Sequence, residues 1–142
     1  MGRWGNRLAL SLKQGSAQIR RTWQPGDVVE LALPMPVRRV VSHPTVPANQ
    51  GRVALQRGPL VYCVEGVDNG GRVSHLTLPD GARLRVEARP DLLNGVTVIQ
   101  ADERGLVAIP YYAWSHRGEG EMAVWLARGD NLVASPAILS MA

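Results

Sequence analysis

Apolar residues recur at every second position along most of this chain. Leu8, Leu10 and Leu12 alternate with polar or small residues, and Ala17, Ile19, Arg21 and Trp23 alternate with Gln18, Arg20 and Thr22. Val29, Leu31 and Leu33 form a further set, as do Leu84, Val86 and Ala88, and Met122, Val124 and Leu126. A period of two places successive side chains on opposite sides of an extended backbone, so each run predicts a strand with one buried face. Turn chemistry separates the runs. Gln24-Pro25-Gly26-Asp27 suits a type II turn, with Pro25 presetting φ and Gly26 taking φ > 0. Pro79-Asp80-Gly81 predicts a tight hairpin loop with its glycine left-handed, and Asn69-Gly70-Gly71 and Asn94-Gly95 are further turn signals. No stretch carries helical periodicity with caps. The pattern predicts an all-β fold, an antiparallel β-sandwich of jelly-roll type with little or no helix.

Two runs break the alternation: Leu60–Val64 and Leu106–Ile109 are continuously apolar. Such runs suit central strands covered on both faces. Pro34-Met35-Pro36 marks a boundary, where an extended stretch leaves one hairpin and enters a new segment, and His43-Pro44 through Gln50-Gly51 reads as a loop.

With 142 residues, 45% of them hydrophobic, the chain can build one packed core. No apolar run is long enough to span a bilayer, so no membrane partner is expected. MGRWGNRLAL lacks an h-region with a cleavage site, which points to a cytoplasmic rather than a secreted chain. The net charge is +4, and every basic residue but Lys13 is arginine. These arginines are scattered along the polar sides of the strand patterns rather than clustered between stacking aromatics. They read as a solvated surface and not as a nucleic-acid patch.

Candidate chemistry is sparse. Cys63, the single cysteine, lies inside an apolar run and is followed by Glu65, which disfavours a thiolate; it reads as a buried structural residue. Glycoside hydrolysis needs two carboxylates across the scissile bond. Glu65 with Asp68, or Glu119 with Glu121, are the available pairs, but nearness in sequence does not set them across a ligand. His43, His75 and His116 have no metal-ligand spacing; His43 falls in a loop, His75 in a strand and His116 in a turn. The aromatic cluster Tyr111, Tyr112 and Trp114, followed by Trp125 in the next strand, is either a sugar-stacking platform or a packing surface. With no phenylalanine in the chain, Trp and Tyr must supply all aromatic core volume, which favours packing.

Taken together, the motifs resemble a known family. They are Trp23-x-x-Gly26-Asp27, Leu33-Pro34-Met35-Pro36-Val37-Arg38, His43-Pro44, the block Gly51–Glu65 ending in RGPLVYCVE, Asp68-Asn69, Ile109-Pro110-Tyr111-Tyr112-Ala113-Trp114, Arg117-Gly118 and Met122-x-Val124-Trp125. Their order and spacing resemble the C-terminal portion of glycoside hydrolase family 127, the β-L-arabinofuranosidase-like proteins. The resemblance implies a parent with an (α/α)6 catalytic barrel followed by β-domains, and a zinc-bound cysteine nucleophile and a glutamate acid/base, all in the barrel. On this reading residues 1–38 are a remnant of the middle β-domain, its final hairpin, and residues 39–142 are the C-terminal β-sandwich domain. No catalytic residue and no metal ligand carries over, and Cys63 does not correspond to the family's nucleophile. The chain itself is then expected to need no cofactor. Upstream of Trp23, MGRWGNRLALSLKQGS departs from the family pattern, and RGDNLVASPAILSMA after Ala127 carries no family motif. The implied role is a non-catalytic accessory domain packed on a catalytic barrel or a second subunit. The alternative is a carbohydrate-binding module holding an arabinose-containing glycan. For both, the contact residues are Tyr111, Tyr112, Trp114 and Arg117.

Overall fold

The computed structural model describes residue 8, residues 10–101 and residues 105–129. The chain divides into two compact units between Leu33 and Pro34.

The first unit holds a short antiparallel ribbon, β1 (Ser11–Lys13) with β2 (Ser16–Gln18), paired Ser11 to Gln18 through Lys13 to Ser16. The expected turn follows. Asp27 N–H donates to the Gln24 carbonyl at 3.0 Å, and Gly26 has φ +89°. Asp27 also closes the turn from the side, its carboxylate accepting from Gln24 N–H at 2.9 Å and pairing with Arg21 at 3.2 Å. The Arg21 guanidinium lies over the Trp23 ring, 5.3 Å from its centre. Trp-x-x-Gly-Asp is thus a self-bonded turn. The strand expected over Val29–Leu33 is not paired: these residues lie outside any ladder and are exposed.

The second unit is one eight-stranded antiparallel sheet that curls into a half-barrel. Its strands are β3 (Val37–Val40), β4 (Arg52–Arg57), β5 (Leu60–Glu65), β6 (Leu84–Arg89), β7 (Val96–Ala101), β8 (Leu106–Pro110), β9 (Met122–Ala123) and β10 (Leu126–Ala127). The main path runs β10-β4-β5-β8-β7-β6, with β3 on β4 and β9 on β5. The all-β antiparallel reading therefore holds. β4 and β5 form a hairpin across Gly58-Pro59, with Arg57 opposite Leu60. Gly58 has φ +54° and proline follows it, the order a type II′ turn uses. A Cβ on Gly58 would lie 2.2 Å from Met35 Sδ, so a larger residue there would have to displace the end of the Met35 side chain as well as take a left-handed φ. Residues 122–127 pair first with the end of β5 (Glu65 with Met122) and then with the start of β4 (Val53 with Leu126). They bridge two strands that part after their hairpin.

Alternation sorts the core into two clusters. Tyr62 and Val64 of β5 join Val53, Leu55, Leu78, Ile99, Leu106 and Ala108 in one. Cys63 joins Val96, Val98, Ile109, Ala113 and Met122 in the other. The continuous apolar runs are thus covered on both faces, as Tyr62, Cys63 and Val64 are all buried, although Val61 is 45% exposed.

Several local expectations are corrected. β6 is at the sheet edge, so Val86 and Ala88 remain exposed despite their alternation. Met122 and Leu126 are buried, but a bend at Val124 and Trp125 splits their strand in two and takes Trp125 out of it. His75 is in an exposed turn, closed by Leu76 N–H donating to the Val73 carbonyl at 3.0 Å, and not in a strand. Pro79–Ala82 closes a turn at 3.0 Å, but it joins no hairpin and Gly81 is not left-handed. Tyr62 is the one aromatic ring fully buried among the described residues; Trp114 and Trp125 are only half-buried, and Trp23 is exposed.

Helix among the described residues is confined to three 3-10 turns, Pro47–Asn49, Gly66–Asp68 and Tyr111–Ala113. Far-UV circular dichroism should accordingly show a β spectrum without a helical double minimum. Gly66 offers a sharper check. A Cβ there would meet the Gly71 carbonyl oxygen at 2.6 Å, and that backbone is held because Gly71 N–H donates to the Gly66 carbonyl at 2.7 Å. Gly66→Ala should cost about 2 kcal/mol in urea unfolding, the usual cost of overpacking a tight site; an unchanged midpoint would contradict this geometry.

Candidate functional site

The end of β5 carries a dense polar cluster. Val64 enters the first apolar cluster, which sends Glu65 to the opposite side, where it is buried (6% exposed). A buried carboxylate needs a cation and hydrogen bonds. Arg117 supplies the cation: one Nη donates to Glu65 Oε2 at 2.8 Å and to Asp68 Oδ2 at 2.5 Å, and the other donates to Asp68 Oδ1 at 2.7 Å. Ser115 N–H donates to the second Glu65 oxygen at 3.0 Å. The two carboxylates hold the Arg117 guanidinium well above its ordinary pKa, Asp68 contributing most.

The carboxylate pair named from sequence is therefore brought together, but around a guanidinium instead of an open cleft. Neither group is free to act as acid or nucleophile. Glu119 is exposed, and Glu121 accepts from Val73 N–H at 2.9 Å, which lowers its pKa.

Asn69 completes the cluster. Its side-chain amide donates to the Glu65 carbonyl at 2.8 Å and the Val107 carbonyl at 3.0 Å, and accepts from Val107 N–H at 2.9 Å. It occupies the place of a strand partner for β8. The sequence marks Asn69 only as a turn residue; its pairing with Val107 has no local signal. The Glu65–Arg117 pairing spans 52 positions and is likewise invisible to any spacing rule.

This cluster fixes the segment that displays the aromatics. Ala113 is buried in the second apolar cluster, and Trp114 packs half-buried against it. Ser115 is left-handed at φ +66°, a conformation that costs a non-glycine residue energy and that its bond to Glu65 offsets. Tyr111 and Trp114 lie with ring centres 5.7 Å apart, tilted by 32°. Tyr111 and Tyr112 remain 44% and 61% exposed. Arg117, which sequence order places beside the rings as a donor for a sugar, has both Nη atoms committed to carboxylates.

Cys63 is buried, and its thiol is pushed up to about 12 by desolvation first and then by Glu65 and Asp68. His43, His75 and His116 are exposed in separate loops and turns. Among the described residues no group of three His, Cys, Asp or Glu side chains is placed to hold a metal. A protonated buried thiol and two carboxylates already paired to arginine do not fit the zinc that the family resemblance implies for a parent enzyme.

The family model of the glycoside hydrolase family 127 C-terminal domain matches residues 37–127. The chain belongs to this family. It is 36% identical over 132 aligned residues to the non-reducing end β-L-arabinofuranosidase of Bifidobacterium longum subsp. longum, an alignment covering 72% of this chain and 20% of that protein. It is similar to the crystal structure of a family 127 β-L-arabinofuranosidase from Geobacillus stearothermophilus T6, with TM-score 0.68, 49% identity, and 82% of this chain and 22% of that chain covered. It is also similar to a solved family 127 β-arabinofuranosidase, with TM-score 0.72, 39% identity, and 89% of this chain and 22% of that one covered. The chain spans about a fifth of the length of these relatives. The family 127 domain here corresponds to the C-terminal domain, and the catalytic region is not in it.

Two measurements check the cluster. Arg117→Met leaves Glu65 buried without its cation and should cost about 3 kcal/mol, as removal of one partner of a buried ion pair does. Cys63 has a folded pKa raised from 9.0 to about 12. Its protonated thiol therefore contributes stability that is fully present below pH 9 and is lost as pH rises toward 12. Cys63→Ala should cost about 1–3 kcal/mol at neutral pH, and the gap between the two proteins in urea should narrow through that alkaline window. A gap that widens would invert the assignment.

Proposed function

We propose that this chain is a non-catalytic accessory domain that packs on the catalytic barrel of a family 127 enzyme, supplied by the same polypeptide or by a second subunit. The parent activity is hydrolysis of β-L-arabinofuranosides. The observation that carries this reading is the pinned Tyr111–Tyr112 pair. Two rings are held in the open on the segment fixed by a buried ion-pair cluster, in which both Nη atoms of Arg117 are engaged by carboxylates. Such rings give up little entropy on being covered, which suits an anchor in an apolar pocket of a neighbouring domain. Stacking on a sugar would call for uncommitted donors around the rings, whereas both Nη atoms of Arg117 are engaged by carboxylates. On the same reading residues 1–38 are the final hairpin of a preceding β-domain, and the domain supplies no nucleophile, acid or metal ligand.

The test is turnover of an aryl β-L-arabinofuranoside. The chain alone should give none and should bind no stoichiometric zinc. When mixed with the Bifidobacterium relative expressed without its matching C-terminal region, it should bind that protein and raise its activity or its thermal midpoint. Tyr112→Ala should weaken the association about 10-fold, the effect of losing one aromatic anchor. Turnover by the chain alone that disappears with Glu65→Gln would overturn the reading.

A further inference from the structure

Asparagine or aspartate stands directly before glycine at Asn69-Gly70, Asp80-Gly81 and Asn94-Gly95. At such a step the glycine nitrogen can approach the side-chain carbonyl carbon of the residue before it, because glycine has no Cβ to obstruct the path. The structure treats these steps differently. Asn69 is buried, and its amide is spent on the Glu65 carbonyl and on both backbone groups of Val107. Asp80 is exposed, but its two carboxylate oxygens accept from Arg128 at 2.9 and 2.6 Å. Those bonds lower its pKa and keep it an anion, which is a poor electrophile. Asn94 is exposed, and its side-chain amide has no hydrogen-bond partner among the described residues.

Asn94 lies in the connection from β6 to β7, whose last ladder pair is Arg89 with Val96. Leu92 N–H donates to the Arg89 carbonyl at 3.3 Å, and Gly95 N–H donates to the Leu92 carbonyl at 2.8 Å. Leu93, Asn94 and Gly95 have φ of +49°, +61° and +98°. Positive φ suits asparagine and glycine but costs a leucine energy. Leu92 and Leu93 nonetheless pack, partly buried, on the second apolar cluster. The base of the connection is thus tied down while Asn94 and Gly95 stay exposed. The Gly95 nitrogen has one turn bond to release before it can react, whereas reaction at Asn69 has to break open a buried network.

We propose that Asn94 is a site of spontaneous covalent modification, deamidation through a cyclic imide with water as the co-reactant. The Gly95 nitrogen, having lost its proton to hydroxide, attacks Cγ of Asn94. A C–N bond forms, the Cγ–Nδ2 bond breaks, and Nδ2 leaves as ammonia. Water then adds to either imide carbonyl carbon and its C–N bond breaks. Nothing is oxidised or reduced. One product is aspartate. The other is isoaspartate, in which the main chain runs through the side-chain carboxyl and is longer by one methylene. Both place a new negative charge in the connection. The longer backbone also loosens the hold of Leu92 and Leu93 on the second apolar cluster, which seats Ala113 and Trp114 as well. This inference is independent of the accessory-domain reading.

The full 142-residue chain is aged in mildly alkaline buffer below its unfolding temperature, and its peptides are read by mass spectrometry with fragmentation that distinguishes isoaspartate. Amide-to-acid conversion should accumulate at Asn94 at least ~10-fold faster than at Asn69, since Asn69 reacts only after its buried bonds open. In concentrated urea the two asparagines should react at similar rates, because both then precede glycine in an unfolded chain. Asn94→Gln, at an exposed position, should remove the fast conversion. The amides of Val96 and Val98 should exchange faster in the aged chain than in the variant aged beside it. Equal native rates at Asn94 and Asn69 would overturn the proposal. So would an Asn94 that reacts in urea but stays intact in the folded chain, which would show that the turn shields it. Unchanged exchange at Val96 and Val98 in a fully converted chain would overturn the effect on the cluster.

Discussion

Everything in the second unit hangs on β5 being covered from both sides. Tyr62 and Val64 enter one apolar cluster and Cys63 the other, while the backbone is laddered to β4, β8 and β9. Tyr62 is 1% exposed, and its hydroxyl donates to the Thr97 carbonyl at 2.8 Å, so even its polar end is tied to the sheet. Fully burying a large side chain is worth about 1.5–3 kcal/mol, and this strand buries several in succession. Its continuation decides the rest. One position past Val64 the alternation delivers a carboxylate, Glu65, to the buried side. Arg117, Asp68 and the Ser115 amide gather around that charge, and the segment bearing the aromatics is located as a result.

That dependence gives this polar cluster a structural part. Here both carboxylates share one guanidinium whose own pKa they raise. What the cluster does well is hold a shape. Ser115 keeps a left-handed backbone, Asn69 takes the place of a strand partner beside β8, and Tyr111 and Tyr112 are left exposed on the segment so fixed.

The strand pattern and turn chemistry were legible in the sequence because both are local. The Gln24–Asp27 turn and the burial of Tyr62 to Val64 follow from spacing and from residue type. Failures came where burial depends on what lies next door. Val86 alternates like a core residue but is on the edge strand, and Val29 to Leu33 alternate with nothing to pair against. The bend at Val124 and Trp125 arises because residues 122–127 serve two parted strands, a tertiary requirement with no local signature. Of the site, Tyr111, Tyr112, Trp114 and Arg117 could be named from their motifs, and the structure places all four on one segment. The role of Arg117 was not readable, since its partners are about fifty residues away and had been weighed only as catalytic carboxylates.

The tyrosine pair and residues 28–33, both exposed, differ in what exposure costs them. Tyrosine carries a hydroxyl that water can satisfy, so Tyr111 and Tyr112 are tolerable in the free chain and useful when covered. Leu31, Leu33 and Val28 carry no such group, and the unpaired backbone beside them leaves its N–H and C=O groups open as well. An unpaired, apolar segment is the kind of template that recruits strands without discrimination. Glu30 is the one charged side chain between Val28 and Leu33, a weak guard against that outcome. Residues 28–33 are therefore under stronger pressure than the aromatic pair to be covered, and they tolerate fewer partners, because register in a ladder is set by the alternation of one buried side. A slip of one residue would turn Val29, Leu31 and Leu33 to the wrong face. Pairing of residues 28–33 would thus impose a fixed register, whereas the Glu65–Arg117–Asp68 cluster already fixes the segment that carries the tyrosines.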